Sequence, residues 1–207
     1  MIRLKTLLAG AAALAFAATG AQAQDDQLKI GLVATFSGPA AAIGDSVRNG
    51  FMLFLKQHDG QIGGVPTEVV VVDDELKPDV GVTKVKALLE RDEVDIVVGT
   101  VFSNIMMAIA KPVFDAETLL ISPNAGPSPL AGPACSKYYF NVAYQNDANH
   151  AVLGKYAADQ GYKRVIVLAP NYQAGKDGVA GFKQFYDGEI VDEIYTQLGQ
   201  LDFSAEL

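Results

Sequence analysis

Short apolar, β-branched runs recur along this chain with room for one helix between each neighbouring pair, and that alternation confines the fold more than any other feature. The runs are Leu28–Ala34, Val69–Val72, Val94–Val98, Leu119–Ile121 and Val165–Ala169. Each has the length of a strand buried on both faces, as in a parallel sheet covered by helices. Between the first two, Val47, Phe51, Phe54 and Leu55 fall on one helical face that ends near Gly60. Pro78 suits a first helical position and Asp79 its positive end, with Val82, Val85, Leu88 and Leu89 as the buried side. A third helix is expected to start at Ser103 with Ile105 and Ile109 inward, and Pro112 is expected to shorten or kink it. The fold class is therefore α/β, built on parallel strands with connecting helices.

The pattern changes near Lys137, where Tyr138–Tyr144 reads as a strand leading into polar Gln145-Asn146-Asp147, a crossing between two lobes. After it come a helix to about Gln160, the strand at Val165–Ala169, a helix near Lys176–Tyr186 and a strand at Glu189–Tyr195. Asp202-Phe-Ser-Ala-Glu-Leu207 reads as an N-cap and a first helical turn. The expected division is 1–23, 24–141 as an N-terminal lobe and 142–207 as a partial C-terminal lobe. Two strands and two helices cannot cover both faces of a sheet, so the second lobe is expected to be incomplete, with an open edge and exposed apolar surface. The chain thus reads as a fragment or a truncated product.

Residues 1–23 carry Arg3 and Lys5, an apolar run from Leu7 to Ala18, and Ala21-Gln22-Ala23, a small-x-small pattern. This predicts a cleaved secretory signal and a soluble, exported, periplasmic product. The whole chain has a formal net charge of −8, which becomes −10 when Arg3 and Lys5 leave with the signal. Such a balance argues against nucleic acid or anionic lipid as a partner. The single cysteine, Cys135, has no partner for an internal disulfide and reads as a small buried hydrophobe. Metal-ligand spacing is absent from the sequence.

In an open parallel sheet, ligands bind beyond the carboxyl ends of the strands. Those ends are Thr35–Gly44, Asp73-Asp74-Glu75, Gly99–Asn104 and Ser122–Gly126. Ser103 stands out, because free N–H groups and the dipole at a helix start can hold a carboxylate, to which its hydroxyl adds a donor. It could equally cap its own helix. Asp73-Asp74 follows a strand, but Ala34-Thr-Phe-Ser-Gly-Pro is no dinucleotide glycine fingerprint, so a solvated, partly capping acidic turn is the expectation.

Gly44-Asp45-Ser46 and Asp147-x-x-His150 together spell the parts of a Gly-Asp-Ser type serine esterase. Ser46, however, lies about ten residues past the strand, and no Gly-x-Asn-Asp block supplies an oxyanion hole. The alternatives are a helix start capped by Asp45 or Ser46, and a solvated helical His150.

Taken in order, Lys29-Ile-Gly-Leu-Val33 with Ser37-Gly-Pro39 and Gly44-Asp45, Asp73-Asp74 with Pro78, Val98-Gly99 with Ser103, Ile121-Ser-Pro123 and Asp202-Phe203-Ser204 carry a resemblance from Leu28 to Leu207. The chain resembles the extracellular solute-binding proteins of branched-chain amino acid type ABC transporters, leucine-binding-protein-like and of the type I periplasmic binding fold. The resemblance implies two Rossmann-like lobes that close by a hinge on a small carboxylate-bearing solute, an amino acid or aromatic acid. It implies a permease partner in the inner membrane, with no cofactor and no covalent chemistry. It places the carboxylate at Ser103, beside Phe102, and at the backbone of Asn124, Ala125 and Gly126. Ile43 matches the family's first-loop aromatic, and Ala174 matches its second-lobe tyrosine, for which Tyr172 is the nearby substitute. The acidic residue for a ligand ammonium would lie beyond Leu207. Asn171–Asp177 is similar to a branch associated with aromatic acids, which need a carboxylate site alone. The same fold could also present its solute to a membrane sensor.

Overall fold

Residues 27–206 are described by the structure, a computed structural model; the expected signal, 1–23, lies outside them. Alternation of strand and helix is what the chain adopts. In order come β1 (Leu28–Ala34), α1 (Ala41–Gln57), β2 (Gln61–Ile62), β3 (Val65–Asp73), α2 (Pro78–Glu90), β4 (Ile96–Gly99), α3 (Ser103–Asp115), β5 (Leu119–Ser122) and β6 (Tyr139–Asn141). These strands form one sheet in the order β2-β3-β1-β4-β5-β6, parallel throughout except for β2 against β3. The chain then continues through α4 (Asn146–Asp159), β7 (Arg164–Pro170), α5 (Gln173–Phe185) and β8 (Glu189–Thr196), and β7 and β8 pair in parallel as a second sheet.

The first core is apolar and continuous. Val85 and Leu88 of α2 meet Ile105, Met106, Ile109 and Val113 of α3 over Val33, Val97 and Leu120 of the sheet, all fully buried. The second is smaller and centres on Ala157, Phe182 and Tyr186 against Val165, Val167 and Ile190. Helix α5 packs on α4 through glycines: a Cβ at Gly154 would lie 2.0 Å from the Phe182 carbonyl oxygen, and one at Gly181 2.3 Å from that of Asp147. Backbone therefore meets backbone at this crossing, which only glycine permits.

Several sequence expectations shift. β3 starts at Val65, before the expected Val69, because Gly63 and Gly64, both at positive φ, turn it back on β2 as a hairpin. β4 is Ile96–Gly99 where Val94–Val98 was expected, since Val94 N–H bonds to Leu88 carbonyl in the preceding loop. The strand expected over Tyr138–Tyr144 is confined to Tyr139–Asn141. α1 begins at Ala41 with Ala40 as N-cap, so neither Asp45 nor Ser46 caps it. Of its expected face, Leu55 is buried while Phe54 is 45 % exposed and stacks on His58.

Pro112 does not shorten α3, which ends three residues later at Asp115. α5 starts at Gln173, three residues before the expected Lys176. Asp202–Glu206 forms a turn with no helix; the Asp202 carboxylate accepts bonds from the Ser204 N–H and hydroxyl. Cys135, expected buried, is exposed, because it falls in the turn after the 3-10 segment Ser128–Ala131.

The strands of the second sheet are not buried on both faces. Helices α4 and α5 pack with the inner residues of β7, and Ile166 and Leu168 are left 61 % and 48 % exposed. Tyr156, Tyr162 and Leu153 add to an apolar groove of about 600 Å³ beside β7. A purified chain ending at Leu207 is accordingly expected to self-associate, with a sedimentation coefficient that rises with concentration. A single species across a hundredfold dilution series would contradict this.

Candidate ligand-binding site

The order of the first sheet reverses at β1, whose neighbours β3 and β4 lead outward in opposite directions. A crevice therefore opens between the loops after β1 and β4, the switch point at which ligands enter such sheets. The loop after β4 ends at Phe102, and α3 starts there with Phe102 as N-cap in extended conformation. Ser103 is the first helical residue, so its hydroxyl does not cap its own helix. The N–H groups of Ile105 and Met106 turn back to the Phe102 carbonyl, those of Ser103 and Asn104 lack helical acceptors, and the dipole makes this end positive.

Around that point the loops are tied together by polar side chains. Asn124 Nδ2 donates to the Val101 carbonyl at 2.8 Å. Ala125 N–H donates to the Thr100 carbonyl at 3.2 Å, while the Ala125 carbonyl accepts from the hydroxyls of Ser122 and Tyr139. Burial pushes the Tyr139 phenol up, keeping it a donor. The Ala125 N–H is thus engaged inside the loop in this arrangement. Gly126 accepts the Asn146 N–H at 2.8 Å on its carbonyl, and a Cβ there would stand 2.3 Å from the Tyr144 carbonyl oxygen. That approach of the crossing segment after β6 accounts for glycine at 126.

Of the residues expected at the site, Phe102 and Tyr172 meet across the two lobes, their ring centroids 6.1 Å apart and tilted by 59°. Burial and the charge of Asp177 push the Tyr172 phenol up. Ile43 is 45 % exposed and lines, with Asn124, Val47, Phe51 and Pro123, an open groove of about 460 Å³ on the first lobe. Asn124 also faces an open pocket of about 270 Å³ between the lobes, lined on the other side by Asn146, Asn149, His150 and Ala174. Ser103 is only 2 % exposed, because Asn146 lies over it.

Sequence reading missed Asn146 and Asp177. The Asn146 amide donates to the Ser103 hydroxyl oxygen at 3.0 Å and to Asp177 Oδ2 at 2.9 Å. Asp177 is 6 % exposed and also accepts from the Ser128 N–H at 3.0 Å and Gln173 Nε2 at 2.8 Å. An acidic residue on the small-residue helix face of Ala174, Gly178 and Gly181 was the available signal at Asp177.

The two acidic residues at the end of β3, Asp73 within it and Asp74 just after, differ from the expected solvated turn. Asp74 is fully buried; its Oδ1 accepts from the Thr35 hydroxyl at 2.6 Å and the Leu76 N–H at 2.9 Å, and its Oδ2 has no partner. Burial raises its carboxyl above the ordinary range against the pull of those donors. Partial burial acts on Asp73 too, but N–H donation from Phe36 and Glu75 holds it below that range. A raised folded-state pKa contributes stability that is present below the ordinary value and is lost as pH rises through the raised one. Asp74→Asn is therefore expected to gain stability relative to the parent as pH rises from about 4, the ordinary carboxyl value, through the raised one in thermal melts. A difference that stays flat over that interval would count against a buried ionising Asp74.

The esterase parts do not assemble. Ser46 donates its hydroxyl to Ala42 carbonyl within α1, and His150 Nδ1 bonds to the Asn146 carbonyl within α4. Among the described residues, no group of three or more His, Cys, Asp or Glu is placed to hold a metal, and no helix is long and apolar enough to cross a membrane.

An open parallel sheet with its crevice at a switch point, joined by one crossing to a second parallel unit, defines a two-lobed ligand-binding fold of the type I periplasmic class. The chain belongs to the periplasmic binding protein family, whose model matches residues 27–207. Over 204 residues it is 26 % identical to "Leu/Ile/Val-binding protein homolog 6" of Brucella abortus, covering 97 % of this chain and 51 % of the relative. A solute-binding protein of an ABC transporter from R. palustris, solved with benzoate, superposes at a TM-score of 0.82 with 28 % identity, over 87 % of this chain and 51 % of that one. The branched-chain amino acid transporter substrate-binding protein LivJ of Streptococcus pneumoniae, solved with isoleucine, gives 0.76 and 27 %, over 87 % and 52 %. The chain spans about half the length of the relatives it matches.

Proposed function

We propose that this chain is the solute-capturing part of an ABC importer, periplasmic and paired with an inner-membrane permease, and that it takes a small carboxylate-bearing solute of the aromatic acid type between lobes 24–141 and 142–207. One observation carries the reading: the positive start of α3, with Ser103 as its first residue, opens at the switch-point crevice beside the Phe102–Tyr172 pair. A carboxylate suits the helix end and an aromatic ring suits the pair. Asn124 and Gly126 complete the first-lobe wall, and Ile43 shapes its outer groove. The benzoate-bound and isoleucine-bound neighbours agree with the carboxylate and leave an amino acid as the second solute class.

The test is calorimetry with benzoate, 4-hydroxybenzoate and leucine on the product of the longest reading frame that contains this chain. Benzoate-type acids are expected to bind more tightly than leucine, and Ser103→Ala to weaken them by about 1 to 3 kcal/mol, the range for a hydrogen bond to a charged group. Binding of none of the three, or an unchanged affinity in Ser103→Ala, overturns the assignment.

A further inference from the structure

We infer that Asn146 and Asp177 form a latch that closes the second lobe onto the Ser103 hydroxyl, so that Asn146 covers the group whose proton a solute carboxylate would accept. The inference rests on the carboxylate reading of Ser103 given above, and it adds a regulation of that site.

Amide orientation is fixed by chemistry here. An ionised carboxylate only accepts hydrogen bonds, so the Asn146 atom 2.9 Å from Asp177 Oδ2 is the NH2 nitrogen. Its two hydrogens go to Asp177 and to Ser103 Oγ at 3.0 Å, and none remains for a ligand. Only the amide oxygen of Asn146 is left to face a solute in the adjoining cavity, and that atom repels a carboxylate. A carboxylate reaches Ser103, 2 % exposed, only after Asn146 lets go.

Asp177 supplies the second point of closure. It belongs to α5, yet its Oδ2 takes the N–H of Ser128, which follows β5 of the first lobe, at 3.0 Å. Gln173 Nε2 holds the other oxygen at 2.8 Å, so the carboxylate is anchored within its own helix. Separation of the lobes breaks the Asn146–Ser103 and Ser128–Asp177 bonds together with that of the Asn146 N–H to the Gly126 carbonyl, while the Asn146–Asp177 bond travels with the second lobe. The closed form without solute is thereby favoured, and solute affinity is scaled down to the fraction of molecules that is unlatched.

The Ser128 amide reports on the latch without any ligand. In the unliganded product of the full reading frame, Asn146→Ala and Asp177→Asn are each expected to speed hydrogen exchange at Ser128 about tenfold, with amides of the Leu88–Ile109 core unchanged. Stopped-flow association of benzoate is expected to be about fivefold faster in both variants, as loss of one ordinary hydrogen bond allows. Electrostatics alone predicts the opposite pairing: Asn146→Ala bares the Asp177 charge and slows benzoate, whereas Asp177→Asn removes it and speeds benzoate. Faster association in both variants supports the latch, and opposite changes overturn it. Unchanged exchange at Ser128 overturns it as well. An unaltered benzoate affinity in Ser103→Ala, with Ser128 exchange still accelerated in the two variants, sinks the carboxylate reading and the covering role of Asn146 but leaves the closure contact standing.

Discussion

Gly154→Ala is expected to be among the most damaging single-methyl changes in the protein, lowering stability by about 3 kcal/mol. The added Cβ would lie 2.0 Å from the carbonyl oxygen of Phe182, a backbone atom that moves only if α5 moves. Helices α4 and α5 enclose the small core of Ala157, Phe182 and Tyr186, so prising them apart opens all of it at once. Among the described residues, β7 and β8 pair only with each other. Urea unfolding followed by tyrosine fluorescence and circular dichroism checks the expectation. A loss below about 1 kcal/mol would mean that the crossing is looser than its glycines imply. The injury should also reach the closure contact, because Asn146 opens α4 and Asp177 lies on α5 beside Gly178.

Leu88→Ala is expected to cost about 4 kcal/mol, near the upper part of the range for a leucine emptied from a sealed core. Leu88 is fully buried, and its Cδ1 lies 2.7 Å from where a Cβ on Gly31 of β1 would stand. The side chain thus fills the space that a glycine leaves between helix and central strand, and the neighbours on α3 are already packed against it. Little collapse is available, so most of the cavity persists. Because domains of this size have total stabilities on the order of 5–15 kcal/mol, the first lobe should then be marginal near body temperature. Thermal denaturation by calorimetry measures the loss, and Leu88→Met should recover most of it by refilling the volume. A parent-like melt for Leu88→Ala would place Leu88 outside the cooperative core.

The two changes also separate the lobes experimentally. Gly154 is remote in sequence and in core membership from Leu88, so the losses should add in the double variant.

Sequence alone determined the strand–helix alternation, and with it the parallel sheet and the helix starting at Ser103. Those features follow from local chemistry. Apolar β-branched runs bury as strands, Pro78 fits a first helical turn, and Val85, Leu88, Ile105 and Ile109 recur with the helical period. The family resemblance was legible for the same reason, as an ordered series of strand ends. Boundaries were less so: a hairpin through Gly63-Gly64 lengthened β3, and the face of α1 was misjudged because periodicity names a side of a helix without naming what covers it.

Only the tertiary structure decided how the site is held. Asn146 and Ser103 stand 43 residues apart, and Ser128 and Asp177 stand 49 apart, so no local pattern could pair them. The same holds for Asp74, whose acidic spelling suggested solvent but whose place under Thr35 buries it. Hydrophobic period is written along the chain, whereas the partner of a polar side chain is set by whichever element folds back upon it.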